Sequence, residues 1–143
     1  MRRTFFMLAV VGALVVLFAG MATAFTKNCE HGTNGANKMV GSAGQDALCG
    51  EGGDDKLFGK AGDDQLVGGS GEDLIEGDDG NDYIKGGSGR DVIKGGPGDD
   101  TIRGGSFNQT NDGSRDFVDC GGGTDTVYVT VKDVVRANCE NRR

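Results

Sequence analysis

The strongest constraint in this chain is a period. Residues 41–103 divide without a gap into seven nine-residue units: GSAGQDALC, GEGGDDKLF, GKAGDDQLV, GGSGEDLIE, GDDGNDYIK, GGSGRDVIK and GGPGDDTIR. Glycine opens every unit and returns at the fourth position, as Gly44, Gly53, Gly62, Gly71, Gly80, Gly89 and Gly98. The sixth position is always aspartate: Asp46, Asp55, Asp64, Asp73, Asp82, Asp91 and Asp100. The eighth is always Leu or Ile, from Leu48 to Ile102. A fixed period of this length marks stacked repeats, each burying its apolar residue only against its neighbours.

The last three residues of a unit suit a short strand with the middle side chain inward, and the first six a glycine-permitted loop. Two units, eighteen residues, then make one flattened turn, and residues eighteen apart stack at about the 4.8 Å strand spacing. Leu57, Ile75 and Ile93 form one inward ladder; Leu48, Leu66, Ile84 and Ile102 form the opposing one. One buried Leu or Ile returns about 1.5–3 kcal/mol. Ordering the backbone costs roughly 1–2 kcal/mol per residue, so this core is too thin by itself. The same stacking superposes the sixth-position acids, which repel unless neutralised. A divalent cation between successive loops removes that repulsion, and carboxylates with turn carbonyls make an all-oxygen shell that suits Ca²⁺ better than Mg²⁺.

These units resemble the nonapeptide repeats of the RTX (repeats-in-toxin, hemolysin-type) calcium-binding family over about residues 32–103. The resemblance implies an all-β fold, a right-handed parallel β-roll. It also implies Ca²⁺ held between a loop and the loop one turn further on. The implied ligands are the seven sixth-position aspartates with carbonyls of the glycine loops, and the inter-turn pairs are 55/73, 73/91, 46/64, 64/82 and 82/100, with a weaker one from Asn37 to Asp55. Acids at the fifth position (Asp54, Asp63, Glu72 and Asp99) are expected to face outward. The C-terminal stretch from Phe117 through Cys120 and Asp125 to Cys139 is similar to the end of small secreted calcium-binding repeat proteins of actinobacteria.

The flanks complete the plan. Arg2 and Arg3, an apolar run to Phe18 and Ala22-Thr23-Ala24 read as a secretory signal peptide over 1–24. Its removal carries the net charge from −7 to −9, leaving an acidic, secreted, extracellular chain with no membrane segment. Residues 25–31 form a lead-in, 32–106 the roll, and 107–113 an inserted polar loop. Residues 114–143 hold degenerate units and a cap, including a period-two strand through Val127, Val129 and Val131. Four cysteines in an exported chain imply disulfides. The eighteen-residue turn brings Cys29 near Cys49 and Cys120 near Cys139, stapling both ends.

Several functions are disfavoured. An acidic chain lacks the clustered Lys and Arg that nucleic acid requires. No Ser/His/Asp set or HExxH sequence is present, so an enzyme is not expected, an enzyme-associated repeat fragment being the weaker alternative. The third position (Ala43, Gly52, Ala61, Ser70, Asp79, Ser88, Pro97) offers no uniform ladder for ice. The expected function is calcium binding coupled to folding, alternatively as an adhesive or matrix module meeting cell-surface or extracellular components.

Overall fold

A computed structural model describes residues 29–105 and 113–143. The signal sequence, most of the lead-in and most of the inserted loop lie outside the described residues. Within them the chain winds as a parallel β-solenoid of about six turns, with no helix.

Alternate strands feed two sheets. One sheet has seven strands: β1 (Glu30–Thr33), β3 (Ala47–Gly52), β5 (Gln65–Ser70), β7 (Tyr83–Ser88), β9 (Thr101–Arg103), β11 (Thr126–Tyr128) and β13 (Asn141–Arg142). The other has six: β2 (Lys38–Val40), β4 (Lys56–Ala61), β6 (Leu74–Asp79), β8 (Val92–Pro97), β10 (Phe117–Gly122) and β12 (Val134–Val135). Every strand pairs in parallel with the one a full turn away, Leu48 opposite Leu66 and Leu66 opposite Ile84, for instance. The eighteen-residue turn therefore holds through the repeats. It lengthens to twenty-five where Val92 meets Phe117, seven residues more than in the repeats.

The inward ladders are as expected from the period. Leu57, Ile75 and Ile93 are fully buried, as are Leu66, Ile84 and Ile102, with Leu48 at 2 % exposure. Met39 extends one ladder at its start, and Val118 and Val127 continue both past the repeats. The core is thus one side chain wide.

Three features differ from the sequence reading. Central strands run six residues, from position seven through position three of the next unit, leaving only three residues for the turn. The first half of each expected loop stays in the ladder because its glycines let adjacent turns approach closely. The period-two strand is cut to Thr126–Tyr128. Asp133 N–H donates to the Thr130 carbonyl in a turn, which leaves Val131 fully exposed. At the C-terminal end the step shortens to seventeen residues between Phe117 and Val134 and fifteen between Thr126 and Asn141. These two-residue strands still cover both open sheet edges, which otherwise would present unpaired backbone.

Both disulfides form, Cys29–Cys49 with Cα atoms 5.8 Å apart and Cys120–Cys139 at 5.2 Å. The second lies in the core, with Cys120 fully buried. The first is partly exposed beside His31, whose Nδ1 pairs with Glu51 Oε1 at 2.5 Å.

Candidate metal-binding site

The sixth-position side chains turn inward at the corners between the sheets. Asp55, Asp64, Asp73, Asp82, Asp91 and Asp100 are all at least 98 % buried, and Asp46 is half-buried at the first turn. One oxygen of each carboxylate from Asp55 onward accepts the backbone N–H of the sixth residue one turn earlier. Asp55 N–H donates to Asp73 Oδ1 at 2.8 Å, Asp64 N–H to Asp82 Oδ1 at 2.8 Å and Asp82 N–H to Asp100 Oδ1 at 2.8 Å. Asp46 N–H reaches Asp64 Oδ1 at 2.7 Å, Asp73 N–H reaches Asp91 Oδ1 at 3.0 Å, and Asn37 N–H reaches Asp55 Oδ1 at 2.7 Å. Every inter-turn pair named from the sequence is therefore brought together.

The ladders continue further than the repeat pattern reached. Asp91 N–H donates to Asp116, Asp116 N–H to Asp133, Asp100 N–H to Asp125 and Asp125 N–H to Glu140. Asp116 and Asp125 are 2 % and 0 % exposed. Their nine-residue separation and the Gly-Gly-Gly run before Asp125 were the signals available for them. Asp133 and Glu140 carry no such signal, since shortened turns place them.

The second carboxylate oxygen is different. Oδ2 of Asp55, Asp64, Asp73, Asp82, Asp100 and Asp125 is buried without a hydrogen-bond partner. In the repeat units this oxygen lies over the first-position glycine of its own unit. The first-position carbonyl oxygen of the next turn lies over the same glycine. Thus Asp73 Oδ2 and Gly86 O share the space that a Cβ on Gly68 would fill, as Asp82 Oδ2 and Gly95 O do over Gly77. The first-position glycine is required there for space: no side chain fits beneath two oxygens. Fourth-position carbonyls, such as Gly53 O and Gly71 O, stack against the fourth glycine of the following turn.

A buried anionic oxygen with no donor is costly to leave so. Burial, reinforced by Asp55 and Asp54, pushes Asp73 up to about 6. Burial with Asp64, Asp63 and Asp78 pushes Asp82 up to about 6. Burial with Asp82, Asp125 and Asp99 takes Asp100 to about 7. In each case the backbone N–H bond opposes the rise without cancelling it. Asp64 and Asp125 are raised for the same leading reason.

The donor set fits a hard divalent cation. It is all oxygen, anionic and desolvated. No group of three or more His, Cys, Asp or Glu among the described residues lies close enough to hold an ion by side chains alone. A shell here therefore needs backbone carbonyls beside the carboxylates, and those the glycine corners supply.

The fifth-position acids face outward and tie the turns in the opposite sense. Asp54 accepts from Glu72 N–H at 2.9 Å, Asp63 from Asn81 N–H at 2.9 Å and Asp99 from Thr124 N–H at 2.7 Å. Glu72 pairs with Arg90 at 3.2 Å.

A parallel solenoid with carboxylates and glycine carbonyls repeating at its corners defines a class of metal-binding β-roll. The family model of the RTX calcium-binding nonapeptide repeat matches the chain four times, over residues 31–66, 50–84, 58–93 and 76–108. These matches span more than half of the chain, which belongs to that family, and its repeats are calcium-binding. Neither a curated protein nor a solved structure matches the chain.

Proposed function

We propose that this chain is a secreted, non-enzymatic calcium-binding protein whose roll folds as it takes up several Ca²⁺ ions at its corners. The observation that carries this reading is the column of buried, partnerless Oδ2 atoms facing carbonyl oxygens. The sixth-position carboxylates with a partnerless Oδ2, from Asp55 onward, would hold the ions, with carbonyls of the glycine corners completing the shell. A bound cation supplies the positive charge that these acceptors lack. The chain's own residues supply the rest: the inward Leu/Ile ladders set the turn spacing, and the backbone N–H bonds hold each carboxylate in place. Because the corners exist only when the turns are stacked, binding and folding share one free energy. Two disulfides and an acidic surface accord with an extracellular setting, where calcium reaches millimolar levels.

Far-UV circular dichroism during a calcium titration tests this. β-structure is expected to appear with calcium and to disappear in chelator. A β signal unchanged by chelator, with no calcium bound in equilibrium dialysis, overturns it.

One feature favours a surface-interaction role over a soluble calcium store. On the outer face of the six-stranded sheet, Leu74, Val92, Phe117 and Val134 stand in one register column. Beside them Lys94 pairs with Glu76 at 2.6 Å and Arg136 with Asp119 at 3.3 Å. Immobilised extracellular-matrix and cell-surface fractions would retain the calcium-loaded protein and release a Val92→Asp variant. Equal retention of both disposes of this role.

A further inference from the structure

The two carboxylate ladders are not uniform along the roll. At the first turn, the sixth-position oxygen over the first glycine is taken by the unit's own backbone. Thr33 N–H donates to Asn37 Oδ1 at 2.6 Å. Ser42 N–H donates to Asp46 Oδ2 at 2.5 Å, and the Ser42 hydroxyl adds a second bond at 2.9 Å. The C-terminal end is closed in a related way, with Thr130 N–H donating to Asp133 Oδ2 at 2.5 Å.

Between these ends six units have a left-handed second residue, whatever its identity: Glu51 at φ 77°, Lys60 at 84°, Gly69 at 119°, Asp78 at 68°, Gly96 at 124° and Gly121 at 102°. Each of these belongs to a unit whose sixth-position Oδ2 has no hydrogen-bond partner: Asp55, Asp64, Asp73, Asp82, Asp100 and Asp125 respectively. Thr33 and Ser42 are not left-handed. At Gly87, left-handed at φ 123°, the N–H donates to Gly104 O of the neighbouring turn at 2.9 Å. A left-handed second position thus accompanies an open corner, and a second-position N–H bonded to the carboxylate a closed one.

Asp125 is the informative member. It lies beyond residue 108, where the repeat match ends. Its unit nevertheless copies the open corner: Gly121 and Gly123 are left-handed at the second and fourth positions, and Gly123 sits against Gly98 O as each repeat's fourth glycine sits against the one before. Asp125 is fully buried, its Oδ1 accepts Asp100 N–H at 2.9 Å, and its Oδ2 is unpartnered. Glu140 adds a further carboxylate at this level, accepting Asp125 N–H at 3.0 Å.

We propose that divalent cations occupy only the open corners, so that the stack begins at Asp55, leaves out Asp46, and ends on a further metal position built on Asp125 outside the repeats. The first turn is then a closed clasp, held by the Cys29–Cys49 disulfide and its own hydrogen bonds in place of metal. This inference rests on the calcium reading above.

Two measurements on the full, disulfide-intact chain test it. In equilibrium dialysis with calcium, Asp46→Asn is expected to bind as many ions as the wild type, whereas Asp125→Asn binds about one fewer. Anomalous scattering from wild-type crystals grown in calcium removes any dependence on a variant folding. A peak is expected at the level of Asp125 and none between Ser42 and Asp46. No bound calcium anywhere in the wild type overturns the calcium reading itself. Calcium bound by the wild type but lost in Asp46→Asn, or an anomalous peak at Asp46, or no peak at Asp125, overturns the open-corner rule alone.

Discussion

Replacing Asp73 by asparagine should stabilise the metal-free roll and forfeit that advantage in calcium. The substitution keeps an oxygen for the Asp55 N–H, now at 2.8 Å. It exchanges the partnerless Oδ2 for an amide NH₂ that faces the Gly86 carbonyl oxygen over Gly68. In chelator a buried charge without a hydrogen-bond donor disappears. The gain expected is about 1–3 kcal/mol, the cost of leaving such a group unsatisfied. In calcium the variant forfeits one cation position. With Kd on the order of 10⁻⁴–10⁻³ M for extracellular modules, about 10 mM calcium stabilises an intact site by roughly 1.4–2.7 kcal/mol. The variant is therefore expected to gain in chelator and to fall short of that gain by about 1.4–2.7 kcal/mol in calcium. Urea unfolding followed by far-UV circular dichroism reads the calcium side. In chelator, folding is driven with trimethylamine oxide, whose exclusion from the chain strengthens burial, and the midpoints are compared. Destabilisation of the same sign and size in both solutions would refute the account, because it would mean the carboxylate matters only as a hydrogen-bond acceptor.

Three further outcomes follow from the same geometry. Asp73, Asp82 and Asp100 are raised from 3.8 to between about 6 and about 7. A carboxyl raised on folding stabilises the metal-free roll fully below pH 3.8 and ceases to do so as pH climbs through 6–7. Chelated protein should thus grow more foldable as pH falls from about 7 toward 4, and calcium uptake near pH 6.5 should release protons. Calorimetry in two buffers of different ionisation enthalpy checks this, and identical heats would contradict it. Gly89→Ala should cost at least about 2–4 kcal/mol, since φ is +123° and a Cβ would overlap the Gly71 carbonyl. Lys60→Gly should instead gain about 0.5–1 kcal/mol by relieving a left-handed lysine at φ 84°; thermal midpoints in calcium compare the pair. Mild thiol in calcium should open the partly exposed Cys29–Cys49 bond before Cys120–Cys139, whose cysteines are 0 % and 4 % exposed, and peptide mapping after alkylation would reveal the reverse order if burial did not govern access.

Much of this molecule is legible in a nine-residue count. A strict period places Leu57 under Ile75 and Asp55 under Asp73 whatever the details of the chain between them. The ladders, the superposed acids and both disulfides follow from that one translation, as does the oxygen character of the site. The period says nothing about dihedral angles. Glu51, Lys60 and Asp78 share a left-handed backbone with Gly69 and Gly96, although their side chains give no hint of it. Ser42 occupies the equivalent position and turns its N–H onto Asp46. Nor does the period reach Asp133 and Glu140, brought beneath the ladders by turns of seventeen and fifteen residues. Sequence alone determined which residues stack, because stacking depends only on spacing. Tertiary structure decided which corners are open, because that turns on where a single backbone N–H points once a neighbouring turn is there to receive it.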